Sequence, residues 1–235
     1  MITVYPYEEL GHADHGWLNA RHHFSFARYW NPARENFGVL RIINDDIVAG
    51  GHGFGAHPHD NMEIITYVRD GAITHGDNMG NEGRTEAGDV QVMSAGSGVF
   101  HSERNRDDKE TRLYQIWIEP NARNVTPRWE QRAFPKNFAD GTLPLLVSGR
   151  DEDKEKGAIF IHQDAAISAG RVKAGASVTQ NVKHQAYILA SEGRFTVNGI
   201  EMKKGDGAEV TGDKKLEIKA LDDAEILVID VPALN

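Results

Sequence analysis

Residues 66–93 read TYVRDGAITHGDNMGNEGRTEAGDVQVM, and residues 188–210 read ILASEGRFTVNGIEMKKGDGAEV. Both stretches start with an apolar run ending in an acidic residue and glycine. Both continue through a second β-prone run and a turn to a Gly-Asp pair that opens a further strand. Gly71 stands against Gly193, and Gly88-Asp89 against Gly205-Asp206. Short β-prone runs punctuated by Gly, Asn and Asp are the pattern of a sandwich or barrel. Self-similarity at this scale marks a duplicated unit. The chain is therefore read as all-β, built from two related barrels in tandem.

Helical periodicity is weak elsewhere; the one exception is RWEQRAFPKNFAD (128–140), which Pro135 interrupts. Pro120, Pro127, Pro135 and Pro144 surround that stretch. It is taken as the connection between a first barrel, 1–130, and a second, 131–235.

Composition narrows the function. The chain has 235 residues, 40% hydrophobic and 26% charged, which suits a soluble globular protein. No apolar run approaches the roughly 20 residues that span a bilayer. The opening MITVYPYEEL carries neither a basic segment nor an apolar one of an export signal, so the expected compartment is the cytoplasm. Cysteine is absent, which excludes disulfides, thiolate nucleophiles and cysteine-held metal clusters. A net charge of -9 with no Lys/Arg stripe argues against direct nucleic-acid binding.

The chemistry concentrates in the first half, where nine of the eleven histidines lie within the first 101 residues. In GFGAHPHDNMEI (53–64), His57 and His59 are two apart and share one face of a strand. In FHSERN (100–105), His101 and Glu103 do the same. Two neighbouring strands, each presenting two such side chains, can meet at one metal ion. Three imidazoles and a carboxylate suit a divalent transition metal and not Ca²⁺ or Mg²⁺. Glu63 has the same parity as His57 and His59. It is a candidate to stand behind the ligands and orient one of the imidazoles.

The repeat provides an internal control. Counting from the matched glycines, Thr179 and Asn181 fall where His57 and His59 stand, and Ile218 and Ala220 where His101 and Glu103 stand. None is a good ligand, so the second barrel is expected to be metal-free. His22 and His23 are read as packing residues, His75 as solvent-facing, His52 as a residue near a cavity mouth, and His162 and His184 as ordinary. Met93, Phe100 and Trp117 are assigned to the core.

GGHGFGAHPHDNMEIITYVRDG (50–71) and GDVQVMSAGSGVFHSERN (88–105) resemble the two cupin motifs, with Ser94 in place of the usual proline. DHGWLNARHHFSF (14–26), MSAGSG (93–98) and LYQIWI (113–118) resemble the pirin branch of that superfamily. Beyond residue 130 the resemblance is thinner, resting on IHQD (161–164) and LVIDVP (227–232). It implies a bicupin of two jelly-roll barrels with metal ligands His57, His59, His101 and Glu103. The implied ion is Fe(II), with Ni, Cu, Mn, Co or Zn as alternatives. The implied activity is that of a quercetin 2,3-dioxygenase, which cleaves flavonols with O₂ and releases CO, with Glu103 also catalytic as the base. The alternative within the same family is a metal-dependent regulator that binds protein partners.

Overall fold

The computed structural model describes residues 1–234. Its strands form two pairs of sheets, and the two pairs have the same plan. In the first half a seven-stranded sheet runs in the order Arg128–Arg132, Val90–Ser94, Glu63–Asp70, Thr111–Ile118, Leu40–Val48, Leu18–His22, Gly11–Asp14. A four-stranded sheet lies against it in the order Gly53–His59, Val99–Arg104, Ala72–Asp77, Glu82–Glu86. In the second half the seven are Ile2–Tyr5, Gly207–Val210, Gln185–Glu192, Ala224–Val231, Ala166–Val172, Leu145–Ser148 and Ile159–Phe160. The four are Ser177–Asn181, Lys215–Ala220, Arg194–Val197 and Ile200–Lys203. Each half is a jelly-roll barrel, and the only helical elements among the described residues are two three-residue 3₁₀ turns. No helix among the described residues is long and apolar enough to cross a membrane.

The matched glycines have a steric reason. Gly71 and Gly193 sit at the tight turn after the corresponding strands with φ of 73° and 72°. A Cβ on Gly71 would come within 2.7 Å of Thr111 Oγ1, and one on Gly193 within 2.4 Å of the Asp223 carbonyl oxygen. Only glycine meets both demands.

Strand alternation sends the side chains of each seven-stranded sheet to two different cores. From the first half Ile65, Tyr67, Tyr114 and Ile116 face outward, and they pack with Ile167, Tyr187, Leu227 and Ile229 of the second half in one continuous buried cluster. Each such side chain contributes roughly 1.5–3 kcal/mol by leaving water, so this shared layer binds the barrels into one body. The alternate residues face into their own barrel. In the second barrel that interior is filled by Val178, Phe195, Leu216 and Ile218.

The structure departs from the sequence expectations at four points. The stretch 128–132 is a strand, not a helix: it pairs with Val90–Ser94 in the first barrel, so the expected division at residue 130 cuts through it. Ile2–Tyr5 pairs with Gly207–Val210 and belongs to the second barrel's sheet. The two strands hold equivalent edge positions, so each barrel borrows its edge from beyond the repeat. Third, the inward-facing pair in the second barrel is Val178 and Ile218, which oppose each other directly; counting back from Gly193 had given Thr179, one residue out of phase. Finally, Phe100 is on the surface, 54% exposed.

Candidate metal centre

The strand Gly53–His59 pairs antiparallel with Val99–Arg104, and His57 lies directly opposite His101. The backbone register shifts between His101 and Glu103, a bulge that places Glu103 opposite Phe54. The imidazoles of His57, His59 and His101 converge, with one ring nitrogen from each within 4.8 Å of the others. Ring centroids are 4.5 Å apart for His57–His101, 4.7 Å for His57–His59 and 5.0 Å for His59–His101.

The hydrogen bonds identify which nitrogens are free. His57 Nδ1 is 2.7 Å from the Gly55 carbonyl oxygen and donates to it, which leaves Nε2 as a lone pair. His101 Nε2 is buried without a hydrogen-bond partner among the described residues. A buried ring nitrogen without a partner costs about 1–3 kcal/mol, and a metal ion removes that cost. Burial, reinforced by the neighbouring His101 and His57, lowers His59 to about 4. Burial, with His57 and His75 nearby, lowers His101 to about 3. Both imidazoles are neutral at neutral pH, the form that ligates. The donor set and its protonation fit a transition metal.

Glu103 lines the same cavity but stands outside the close trio. Its carboxylate accepts from Thr66 Oγ1 at 3.0 Å, from Gln91 Nε2, and from Gln115 Nε2 at 2.6 Å. Glu63 does not reach the site. A turn at 60–62, with Asn61 at φ 44°, carries the chain from one sheet to the other and resets the alternation. Ile64 and Thr66 therefore face the barrel interior, while Glu63 faces the second barrel and accepts from Ser94 Oγ at 2.7 Å. Burial raises the Glu63 carboxyl to about 7.

His75 is also differently placed. It is 1% exposed, stacked on Trp129 at 4.9 Å and 8°, with Nδ1 3.4 Å from His101 Nδ1. His23 packs between the barrels against Tyr187, and His52 is exposed.

The metal candidates open onto a cavity of about 1100 Å³, at the upper end of the range for small-molecule sites. Trp17, Phe26, Phe54 and Trp117 give it aromatic walls, and Trp117 stands edge-on to His59 at 4.9 Å. His22, Asn44 and Asp46 form a polar strip on its floor, where His22 Nδ1 is 2.7 Å from Asn44 Oδ1. Burial, with Asp45 and Glu103 close by, pushes Asp46 well above the usual carboxylate range. Sequence reasoning missed this strip and the wall role of Trp117. The available signal was LRIINDDIV (40–48), in which Asn44 and Asp46 take alternate positions of an otherwise apolar strand.

The chain matches the Pirin family model over residues 4–118 and the model of the quercetinase C-terminal cupin domain over residues 145–231. It is 51% identical over 233 residues to a Pseudomonas aeruginosa protein provisionally named a quercetin 2,3-dioxygenase, covering 98% of this chain and 100% of that one. The chain belongs to the pirin family. This pirin is also 40% identical over 235 residues to the quercetin 2,3-dioxygenase of Escherichia coli K12, with 99% of each chain covered. The crystal structure of YhhW, a bacterial pirin from Escherichia coli in complex with nickel(II), aligns with a TM-score of 0.91, 37% identity and 100% of both chains covered.

Proposed function

We propose that this pirin is a metal-dependent dioxygenase that cleaves flavonols such as quercetin with O₂ and releases CO. The observation that carries the reading is the convergence of three imidazoles on the wall of a large, aromatic-lined cavity. The relatives' names point the same way.

In this reading His57, His59 and His101 hold one divalent ion. Glu103 completes the set by turning out of its hydrogen-bonded seat. Fe(II) is the ion proposed, and the nickel complex of YhhW makes Ni(II) the first competitor. When bound, the ion supplies a Lewis-acidic centre open to substrate and O₂. The chain supplies the rest. Trp117, Phe54 and Phe26 receive the flat ring system, and Asn44 and Asp46 offer hydrogen bonds to its hydroxyls. Glu103 accepts the proton of the 3-hydroxyl, and Thr66, Gln91 and Gln115 keep its carboxylate aimed as a base.

The test is to mix metal-loaded protein with quercetin in air and follow flavonol absorbance together with CO. Loss of absorbance with stoichiometric CO is the expected result. Loss without CO, or no loss with any of the six candidate metals, overturns the reading.

A further inference from the structure

Behind His101 lies a chain of polar contacts that the proposed reaction does not use. His75 Nδ1 faces His101 Nδ1 at 3.4 Å. The other nitrogen of His75, Nε2, is 3.0 Å from Asp77 Oδ2. Asp77 is surrounded by donors: the backbone N–H of Met79 at 2.9 Å and of Asn81 at 3.0 Å reach Oδ1, and Asn81 Nδ2 reaches Oδ2 at 2.9 Å. Both side chains are buried, at 1% for His75 and 0% for Asp77. The indole of Trp129 stacks flat on His75 and fixes its plane.

The hydrogen count follows from these contacts. A carboxylate approached only by donors acts as an acceptor, so the hydrogen between His75 and Asp77 sits on His75 Nε2. A neutral His75 then has a bare Nδ1. Two ring nitrogens facing each other in the dry interior need one hydrogen between them, and it has to come from His101 Nδ1. His101 is then left with a bare Nε2, the same buried nitrogen that has no partner. For a His75 carrying one ring hydrogen, the contacts run in sequence from the turn at 77–81 to the cavity wall.

We infer that His75 and Asp77 are positioning residues that fix the tautomer and the ring orientation of His101, so that its Nε2 is presented as a ready-made metal ligand. The inference rests on the reading of His57, His59 and His101 as the metal site. It assigns to His75 a task that the strand pairing alone would not require, since an apolar ring could fill the same space beside Trp129. Imidazole ligands commonly need such a partner, and its loss lowers metal affinity about 10–100-fold.

The experiment has two parts. In metal-free protein labelled with ¹⁵N-histidine, long-range ¹H–¹⁵N correlation reads the tautomer directly. His101 is expected with hydrogen on Nδ1 and none on Nε2; hydrogen on Nε2 overturns the inference without any variant being made. Nickel(II) affinity is then measured for the wild type, His75→Phe and His75→Gln. Phenylalanine keeps the ring and its stacking on Trp129 but accepts no hydrogen bond, so nickel binding should weaken about 10–100-fold with the thermal midpoint of the metal-free protein preserved. Glutamine offers an acceptor oxygen and should restore most of the affinity. If His75→Phe binds nickel as tightly as the wild type, the positioning role is wrong while the metal site stands. If the wild type binds no nickel or other divalent ion, the metal site itself is wrong and the inference falls with it.

Discussion

Gln115 Nε2 donates to Glu103 Oε2 at 2.6 Å, and this bond turns the Glu103 carboxylate away from the three imidazoles and toward the floor of the cavity. In this seat the carboxylate is a proton acceptor, and by turning out of it the carboxylate would join the three imidazoles as the fourth ligand of the proposed set. Glu103→Gln preserves the shape and one acceptor oxygen but removes the base. We expect metal content to be largely retained, because the three imidazoles are untouched. Turnover of quercetin should fall by about 10²-fold or more, the usual scale for loss of a general base. Wild-type turnover at normal metal content would show that Glu103 is not the base.

Removal of an imidazole should behave in the opposite way. His57→Ala and His101→Ala are each expected to abolish metal uptake or weaken it severely while the fold survives, because both cores are complete without an ion. Elemental analysis and a thermal melt separate the two effects. Full metal content in either variant would sink the ligand assignment.

The depressed values of His59 and His101 fix the acid side of metal binding. Neither residue carries a proton at pH 5, since burial holds them at about 4 and about 3. These two ligands should therefore add almost no proton dependence to log affinity between pH 7 and pH 5; a slope approaching three protons there would contradict their depressed values.

Glu63 offers a test that does not involve the metal. Its carboxyl is raised by burial from 4.5 to about 7 in the folded protein, so the folded state binds the proton more tightly than the unfolded one. The associated stability is fully present below about pH 4.5 and is lost as pH rises through about 7. At 1.36 kcal/mol per unit the loss is roughly 3 kcal/mol. Glu63→Gln cannot ionise, so its unfolding free energy should fall less than that of the wild type between pH 5 and pH 8. Its quercetin turnover should stay near wild type, because Glu63 faces the other barrel. Denaturant titrations at the two pH values, with a parallel activity assay, check both statements.

Trp117 stands edge-on to His59 and at 5.8 Å from Phe26, in a T-shaped contact. Trp117→Leu should leave metal content unchanged and raise the KM for flavonol by about 2- to 10-fold, the value of one aromatic contact. An unchanged KM would remove Trp117 from the substrate wall.

The duplicated barrel was legible in the sequence because its evidence is local. Gly71 and Gly193 are required by a backbone angle, and His57/His59 and His101/Glu103 share a face by strand geometry alone. What escaped depends on contacts between distant segments. The inside-outside alternation can be extrapolated only along an unbroken strand, and the turn at 60–62 broke it before Glu63. His75 looked exposed because it lies near GDNMG (76–80), yet its own strand is covered by Trp129, 54 residues further on. The edge strand Ile2–Tyr5 has no nearby partner, so no short-range period could reveal where it pairs.

That edge strand also bears on how the protein is made. Residues 2–5 are synthesised well before their partners, 207–210, on the far side of both repeats. The second barrel cannot complete its sheet until residue 210 has been made, and strand 2–5 must wait unpaired until then. Contacts of such sequence separation slow folding and lengthen exposure to wrong partners. A cut between the two barrels would part strand 2–5 from the sheet it completes.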